Sequence, residues 1–424
     1  MRIVGFSLVL YIFQYLDRVN IGFAALQMNP DLGISPIQFG LAASVFSVAY
    51  VAFEIPSGLL LYRFGPRLWI ARILITWGLI STSLCMIQSA VQLDIVRFLL
   101  GIAEAGFYPG IIYYVAIWVP ARERARALAI MSSAGPLSIV LGGPISGLLM
   151  SAMDGLWGLH GWRWLFIAEG LPAVVLGILA LALMADRPQD VGWLDDEEKA
   201  TLTRILAAEH EQNRREQRHK FLDILRDPVV LLLAVFGICF NSSGISYWLP
   251  QIVNAMGTMT KLQVGLVTAI PYLCAFLLMR HIGRYADRSG RPYATLVGCC
   301  VAASVGLAGG ALLPPVPGLI GMALGTTGIW SYAGPFWALA TSMLTGSAAA
   351  GGTALINSVL QIGSIIIPFT VGWITSVTHT FTGGVLFLAS VPAVGIILAP
   401  LIHHIQVRRS RRAAAGRGGP ASRG

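Results

Sequence analysis

The sequence predicts an all-α membrane protein with twelve transmembrane helices arranged as two six-helix halves. Of its 424 residues, 56% are hydrophobic and only 12% are charged, whereas globular proteins carry about 25% charged residues. Apolar stretches long enough to cross a bilayer recur along the chain. One long polar interruption divides these stretches into two sets of six, which predicts the two halves.

The apolar stretches define the predicted spans. Those of the N-terminal half cover residues 3–26, 37–61, 68–88, 92–118, 127–152 and 162–185. Those of the C-terminal half cover residues 228–253, 262–281, 293–313, 317–345, 351–376 and 381–404. The predicted divisions are therefore 1–185 for the N-terminal half, 186–227 for a linker, 228–404 for the C-terminal half and 405–424 for a basic tail.

The distribution of basic residues predicts the orientation, since cytoplasmic loops of membrane proteins retain Lys and Arg. With both termini in the cytoplasm, 25 of the 29 basic residues fall on the cytoplasmic side. The linker and the tail are then cytoplasmic, and an acidic run from Asp195 to Glu198 starts a linker helix that lies against the membrane face, as the helix dipole favours. We expect an integral protein of a bacterial inner membrane that contacts lipid and functions as a monomer.

Several classes of function lack their expected patterns. The net charge of +9 follows from the topology, and no basic stripe with interleaved aromatic residues indicates a nucleic-acid partner. The five cysteines lie in apolar runs without a CxxC or Cys/His pattern, so neither a disulfide framework nor a metal site is predicted. No Gly-x-x-x-x-Gly-Lys-Ser/Thr nucleotide loop occurs. The alternative of a membrane-embedded enzyme or a receptor would need metal-ligand spacing, a nucleophile with its base, or a sizeable soluble domain, and the sequence shows none of these patterns.

Charged residues inside two apolar spans are the main candidates for function. Asp17 and Arg18 lie in the first span, and a charge at membrane depth persists mainly where it faces a protein interior or a water-filled cavity. Arg97 and Glu104 lie seven residues apart in the fourth span, so they share one helical face. One interpretation is a buried ion pair, within that helix or to Asp17. The other is a proton site coupled to an anion site, because the planar guanidinium matches a carboxylate.

Uncharged polar residues extend this candidate site. Tyr50 lies midway along the second span, Tyr332 lies in the tenth, and Asn357 and Gln361 share a face of the eleventh. We expect these four to contact substrate, although hydrogen bonding between helices is the alternative interpretation. Glu54, which lies near the cytoplasmic end of the second span, is expected to be a structural cap or loop partner.

A short motif is repeated after the second and the eighth spans. Both copies fit Gly-x-x-x-x-Arg-x-Gly, which allows a tight loop and places arginines at helix C-termini. The motif residues are Gly58, Arg63, Gly65 and Arg67 in the first copy, and Gly283, Asp287, Arg288, Gly290 and Arg291 in the second. The repeat supports a duplicated transporter architecture with a central binding site.

This motif resembles the signature of the major facilitator superfamily. The second copy matches the full pattern Gly-x-x-Ala-Asp-Arg-x-Gly-Arg, whereas the first copy carries Tyr62 at the acidic position. Residues 15–22, 97–110 and 351–358 resemble the anion:cation symporter branch, and the resemblance covers essentially the whole chain. It implies the major facilitator fold and import of a small organic carboxylate, such as a sugar acid, tartrate or an aromatic acid, usually with protons.

The resemblance also implies roles for individual residues. Asp17 and Glu104 would carry protons, Arg18 would bind the substrate carboxylate, and Arg97 would tune Glu104 or share the anion. The proton is then the coupling ion, and no other cofactor is expected. An organic anion or organophosphate exchanger of the same fold remains the alternative function.

Overall fold

The structure, a computed structural model, describes residues 2–216, 227–241, 243–343 and 347–417. The end of the predicted linker, 217–226, and the end of the predicted tail, 418–424, lie outside the described residues. Within the described ranges the chain is helical and contains no strand. The predicted all-α class is therefore confirmed.

The helices of the N-terminal half are α1 Arg2–Leu32, α2 Pro36–Phe64, α3 Pro66–Ser83, α4 Ala90–Glu104, α5 Phe107–Trp118, α6 Ala121–Ser132, α7 Ala134–Ala152 and α8 Gly161–Leu183. The linker contains α9 Asp196–Glu216. The helices of the C-terminal half are α10 Pro228–Ile238, α11 Ser243–Ala255, α12 Lys261–Ser289, α13 Pro292–Leu312, α14 Pro315–Ser331, α15 Ala333–Met343, α16 Ser347–Thr378 and α17 Phe381–Arg417.

Nine helical stretches in the described part of the chain are long and apolar enough to cross a membrane. The other three predicted spans correspond to α1, which carries several polar residues, and to the pairs α10–α11 and α14–α15, each of which is interrupted by a break. Large apolar side chains on the outside of the bundle are exposed, as a lipid-facing surface requires, and Ile178 is one example at 57% exposure.

Equivalent helices of the two halves begin with the same local signal. At the start of α2, the Ser35 side chain accepts a hydrogen bond from the backbone of Gln38, whose side chain accepts from the Ser35 backbone at 2.9 Å. Thr260 and Gln263 repeat this capping box at the start of α12, again at 2.9 Å. Such a box satisfies two backbone donors that a helix leaves unpaired at its start. The second and eighth spans are therefore alike at both ends.

The two halves meet along a seam of close backbone contacts. A Cβ atom added to Gly143 of α7 would lie 2.7 Å from the carbonyl oxygen of Gly265 in α12, and one added to Gly265 would overlap Gly143. In a second contact, the Ser44 hydroxyl of α2 donates to the carbonyl oxygen of Ile365 in α16 at 2.6 Å. Close approach through small residues is typical of helix packing in membranes.

The seam lies toward one end of the bundle. We call the end that carries the two loop motifs the arginine-rich end. The seam runs from the middle of the bundle to the other end, where Lys261 donates to the carbonyl oxygen of Leu26 at 3.2 Å and the Ile37 backbone donates to the Ser376 hydroxyl at 2.9 Å. The halves are therefore joined at the end away from the loop motifs.

Replacing Gly265 with alanine is expected to open the seam, because the new Cβ atom would overlap the backbone of Gly143. A shift of about 1.4 kcal/mol against the joined state would raise the separated population about tenfold. Spin labels at Leu156 and Thr258, in a background without the five cysteines, would report the distance between halves. Gly298→Ala is the control, since a Cβ atom there meets nothing within 4 Å. Identical distance distributions in both variants would contradict this view of the seam.

The linker helix contacts the N-terminal half. Glu209 of α9 accepts from the Arg124 guanidinium at 3.2 Å and from the Ala121 backbone at 2.9 Å. These contacts cap the start of α6, where the helix dipole favours a negative charge. The described part of the linker is therefore attached to one half rather than bridging both.

Candidate functional site

Four predicted spans are interrupted near the middle of the bundle. The fourth ends as α4 at Glu104 and resumes as α5 at Phe107, because Gly106 between them adopts a left-handed φ of 83°. Other breaks separate α6 from α7, α10 from α11, and α14 from α15 at Tyr332. Irregular backbone at membrane depth is tolerated only where it is buried in protein or lines a cavity. The sequence analysis treated these spans as continuous, and the structure corrects that detail.

A cavity of about 200 Å³ lies between the two halves, beside these breaks. Its walls are rich in aromatic and amide side chains. From the N-terminal half the lining includes Tyr11, Gln14, Tyr15, Arg18, Tyr50, Glu54 and Tyr108. From the C-terminal half it includes Phe240, Asn241, Tyr247, Trp330, Tyr332, Trp337, Asn357, Gln361 and Ser364. Five predicted substrate contacts, Arg18, Tyr50, Tyr332, Asn357 and Gln361, are thus brought to one cavity.

Arg18 is the single cation among the described residues that line the cavity. Its guanidinium carbon lies 5.3 Å from the ring centre of Phe46 and 5.4 Å from that of Tyr50. Cation–π contacts of this kind hold an arginine in place without occupying its hydrogen-bond donors. Arg18 forms no ion pair with the described residues, so its donors can bind an anion in the cavity.

Arg97 lies behind the cavity wall rather than in it. Its side chain is fully buried, and its guanidinium carbon lies 4.4 Å from the centre of the same Phe46 ring. None of its guanidinium nitrogens has a hydrogen-bond partner among the described residues. Its guanidinium carbon also lies 6.0 Å from the ring centre of Tyr247, so two aromatic rings contact the buried charge. The structure does not place Arg97 with the predicted substrate contacts.

Asp17 points away from Arg18, although the two residues are adjacent in α1. Its carboxylate accepts hydrogen bonds from the Trp77 indole, the Ser81 hydroxyl and the Asn20 amide, the last at 3.2 Å. Two of these donors belong to α3, so Asp17 joins α1 to α3. Three donors satisfy an ionised carboxylate well, and the side chain is 1% exposed. Asp17 therefore does not line the cavity.

Glu104 lies at the end of α4, one side chain behind the cavity. The Gln14 amide, which lines the cavity, donates to one of its carboxylate oxygens. The other oxygen has no hydrogen-bond partner in the described part of the chain. No ion pair within 4.0 Å joins Glu104 or Asp17 to Arg97 among the described residues. The buried ion pair considered in the sequence analysis is therefore not formed in this structure.

The C-terminal wall is held by amide and aromatic contacts. The Asn241 amide donates to the Ser364 hydroxyl at 2.8 Å and to the Leu360 carbonyl oxygen at 3.2 Å, which fixes the break after α10 against α16. Tyr332 stacks on Phe240 with ring centres 4.4 Å apart and planes 2° from parallel. These contacts hold the breaks of two spans, α10–α11 and α14–α15, against each other and beside α16, which carries Asn357 and Gln361.

Glu54 is the cavity residue whose position the sequence analysis assigned wrongly. It was expected to be a cap or loop partner, but it lines the cavity as the one carboxylate among the described lining residues. The signal was its spacing, because residues four apart share a helical face and Glu54 follows Tyr50 by four. Tyr108, whose ring stacks on that of Tyr11 with centres 5.4 Å apart, was also missed as part of the cavity wall.

The loop motifs lie outside the cavity. In the first copy, Gly65 has a φ of 83°, and the Arg67 backbone donates to Asp186 at 2.9 Å while its side chain donates to Leu181 at 2.8 Å. Asp186 thus contacts the copy that carries Tyr62 at the acidic position. In the second copy, Gly290 caps α12 with a φ of 60°, and the side chains of Asp287 and Arg288 are exposed.

Replacing Gly106 with alanine is expected to lower the stability of the protein. A left-handed conformation costs an alanine about 1–2 kcal/mol, and the new Cβ atom would overlap the Ser57 hydroxyl of α2, which adds about 1–3 kcal/mol of overpacking. The midpoint of thermal unfolding of the purified protein measures the loss. Gly155→Ala is the matched control, since Gly155 has a φ of 82° but nothing within 4 Å of its added Cβ. An equal decrease of the unfolding midpoint in both variants would show that the contact with Ser57 does not contribute to the loss of stability.

Comparison with known proteins places the chain among transporters. Residues 7–368 match the profile of the Major Facilitator Superfamily. Over 404 residues the chain is 43% identical to the "Putative tartrate transporter" of Agrobacterium vitis, which covers 95% of this chain and 89% of that protein. It is 36% identical to the "Quinolone resistance transporter" of Acinetobacter baumannii over 95% of this chain and 93% of that protein. The relatives are thus named for different substrates.

A solved structure shows the same fold. The xylose transporter XylE from E. coli, in a partially occluded inward-open conformation, matches with a TM-score of 0.74 at 14% identity. The match covers 95% of this chain and 97% of that chain. The predicted fold of twelve helices in two halves is confirmed.

Proposed function

The chain belongs to the Major Facilitator Superfamily, and we propose that it imports a small organic carboxylate together with protons by alternating access. Members with this fold are transporters rather than enzymes. The substrates suggested by the sequence are sugar acids, tartrate-like acids and aromatic acids. The name of the Agrobacterium vitis relative supports an organic acid.

The observation that carries the proposal is the single arginine that lines the central cavity among the described residues. Both halves line it, and Arg18 supplies its single cation among the described lining residues. A guanidinium forms two parallel hydrogen bonds to a carboxylate, so one arginine suffices to hold and orient one carboxylate. The amides of Asn357 and Gln361 lie in the same cavity and offer donors and acceptors for substrate hydroxyls.

Glu104 is the better supported proton carrier of the two predicted ones. One of its oxygens has no partner in the described chain, and only the Gln14 side chain separates it from the cavity. Asp17, by contrast, accepts three hydrogen bonds, so protonation would disturb contacts that join α1 to α3. A proton on Glu104 would change the charge beside Arg18 and so couple proton binding to anion binding.

The arrangement favours symport over organophosphate exchange. A phosphate ester carries more charge than one carboxylate, and we expect its exchanger to use cations from both halves. No cation of the C-terminal half lines this cavity among the described residues. The excess of basic residues further supports a cytoplasmic arginine-rich end in a bacterial inner membrane, and with that orientation the seam closes the outer side of the cavity.

Uptake by purified protein in liposomes tests the proposal. We expect a labelled sugar acid or aromatic acid to accumulate when the outer solution is more acidic, and a protonophore to abolish the accumulation. Uptake that ignores the proton gradient, with rapid exchange against internal acid, would contradict symport and favour the exchanger. Failure to transport any carboxylate would contradict the substrate class.

A further inference from the structure

We propose that Glu54 restricts the cavity to monocarboxylates whose far end carries hydrogen-bond donors, and that it excludes dicarboxylates. This inference rests on the proposed carboxylate transport and names the class of acid. It concerns a residue of the cavity to which neither the loop motifs nor the proton site assigns a role.

The first step is the position of Glu54 relative to Arg18. Both line the cavity, and the Arg18 guanidinium carbon lies 5.4 Å from the ring centre of Tyr50. Glu54 follows Tyr50 by four residues in α2, which is a rise of about 6 Å along the helix. Glu54 therefore lies about one helical turn from the ring that Arg18 contacts, on the same wall of the cavity.

The second step is that no described residue forms an ion pair or a hydrogen bond with the Glu54 carboxylate. Arg18 and Glu54 are not within 4.0 Å of each other, and no ion pair or hydrogen bond joins the Glu54 carboxylate to another described side chain. Its partial exposure is to the cavity that it lines. The carboxylate is therefore available to a ligand held by Arg18.

The third step is chemical complementarity. An ionised carboxylate only accepts hydrogen bonds, so Glu54 favours a ligand end that donates, such as a hydroxyl or an ammonium group. A second carboxylate on the ligand would meet an acceptor of the same charge. The other candidate cation, Arg97, is fully buried beside Phe46 and does not line the cavity. Arg18 would attract one carboxylate of a dicarboxylate, and Glu54 would repel the other.

The size of the effect follows from the distance. If Glu54 and the second carboxylate of the ligand are about 6 to 12 Å apart, at an effective dielectric constant of about 20, their repulsion weakens binding about 10- to 100-fold. We therefore expect the wild-type protein to bind a monocarboxylate about 10- to 100-fold more tightly than the dicarboxylate made by oxidising its far end. On this inference tartrate is a poor ligand for this chain.

Calorimetric titration of the full-length purified protein with matched acids tests the inference. The pairs are gluconate and glucarate, threonate and tartrate, and 4-(hydroxymethyl)benzoate and terephthalate. In each pair the far hydroxymethyl group of the first acid is replaced by a carboxylate in the second. We expect the monocarboxylate to bind more tightly in each pair that binds. Glu54→Gln should reduce the ratio to within about threefold of unity, because the repulsion is removed.

Two variants serve as controls. Glu54→Asp keeps the charge and should keep the preference for monocarboxylates. Glu197→Gln makes the same chemical change at an exposed linker residue and should leave all dissociation constants unchanged.

The outcomes separate this inference from the proposed function. If dicarboxylates bind as tightly as their partners, or if Glu54→Gln leaves the ratio unchanged, the inference is overturned while carboxylate binding stands. If none of the six acids binds to the wild type, the proposed function fails and the inference fails with it.

Discussion

Replacing Arg18 with lysine is expected to reduce carboxylate uptake about 10- to 100-fold while the protein still inserts into the membrane. Lysine keeps the charge but loses the planar pair of donors that matches a carboxylate. Losing one charge-assisted hydrogen bond costs about 1.5–3 kcal/mol, which corresponds to this range. Lysine also loses the flat contact that the guanidinium makes with Phe46 and Tyr50, at 5.3 and 5.4 Å.

The control for Arg18→Lys is Arg187→Lys, the same exchange at an exposed linker residue. Initial rates of uptake are divided by the amount of each protein in the liposomes. We expect Arg187→Lys to transport like the wild type. Near-normal uptake by Arg18→Lys would mean that Arg18 has a structural role and that the substrate carboxylate binds elsewhere.

Replacing Glu104 with glutamine is expected to abolish uptake driven by a proton gradient while leaving exchange of internal for external acid. Glutamine has nearly the same shape, and its carbonyl oxygen still accepts the hydrogen bond from Gln14. It carries no titratable proton, so the coupling step is lost. Accumulation against a gradient should fall to the level of protein-free liposomes, whereas counterflow should continue.

The matched control for this experiment is Glu169→Gln. Glu169 is also buried in the N-terminal half and also has one carboxylate oxygen without a hydrogen-bond partner among the described residues. Its other oxygen accepts from Ser146 at 2.9 Å, and Ser146, unlike Gln14, does not line the cavity. We expect this variant to retain accumulation driven by protons. If Glu104→Gln still accumulates acid, or if Glu169→Gln alone abolishes accumulation, the proton site has been assigned to the wrong residue.

The sequence predicted only part of the placement of the adjacent residues Asp17 and Arg18. Their charges at membrane depth predicted an interior, and the structure places both inside the bundle. Successive residues in a helix point about 100° apart, so Asp17 and Arg18 must face different neighbours. Arg18 continues a stripe of polar residues, spaced three or four apart in α1, which predicts a polar face toward the cavity; Tyr11, Gln14, Tyr15 and Arg18 all line it. The sequence contains no comparable signal for the α3 side chains that bind Asp17.

The breaks in the helices were also not predicted from the sequence. Residues 92–118 are continuously apolar enough to predict one span, yet the chain turns at Gly106 between α4 and α5. An isolated glycine in a span usually indicates close packing. The close contact with Ser57 of α2 fits that interpretation, but only the left-handed φ of 83° shows that this glycine also permits a turn.

The amphipathic positions of α2 and α16 were more predictable. Asn357 and Gln361 were assigned to one face from their spacing of four, and both line the cavity. The same spacing relates Tyr50 to Glu54, but proximity to the cytoplasmic end favoured a loop role for Glu54. Glu54 nevertheless lines the cavity, and the hydrogen bonds that described residues form between the halves lie toward the other end.

A structure of the protein with a bound acid tests the central claim most directly. The acid should be the tightest monocarboxylate found by titration, and the map should resolve its carboxylate. We predict that this carboxylate lies in the cavity between the halves, within hydrogen-bond distance of the Arg18 guanidinium. A carboxylate bound at Arg97 without contact to Arg18, or outside the cavity, would contradict the account.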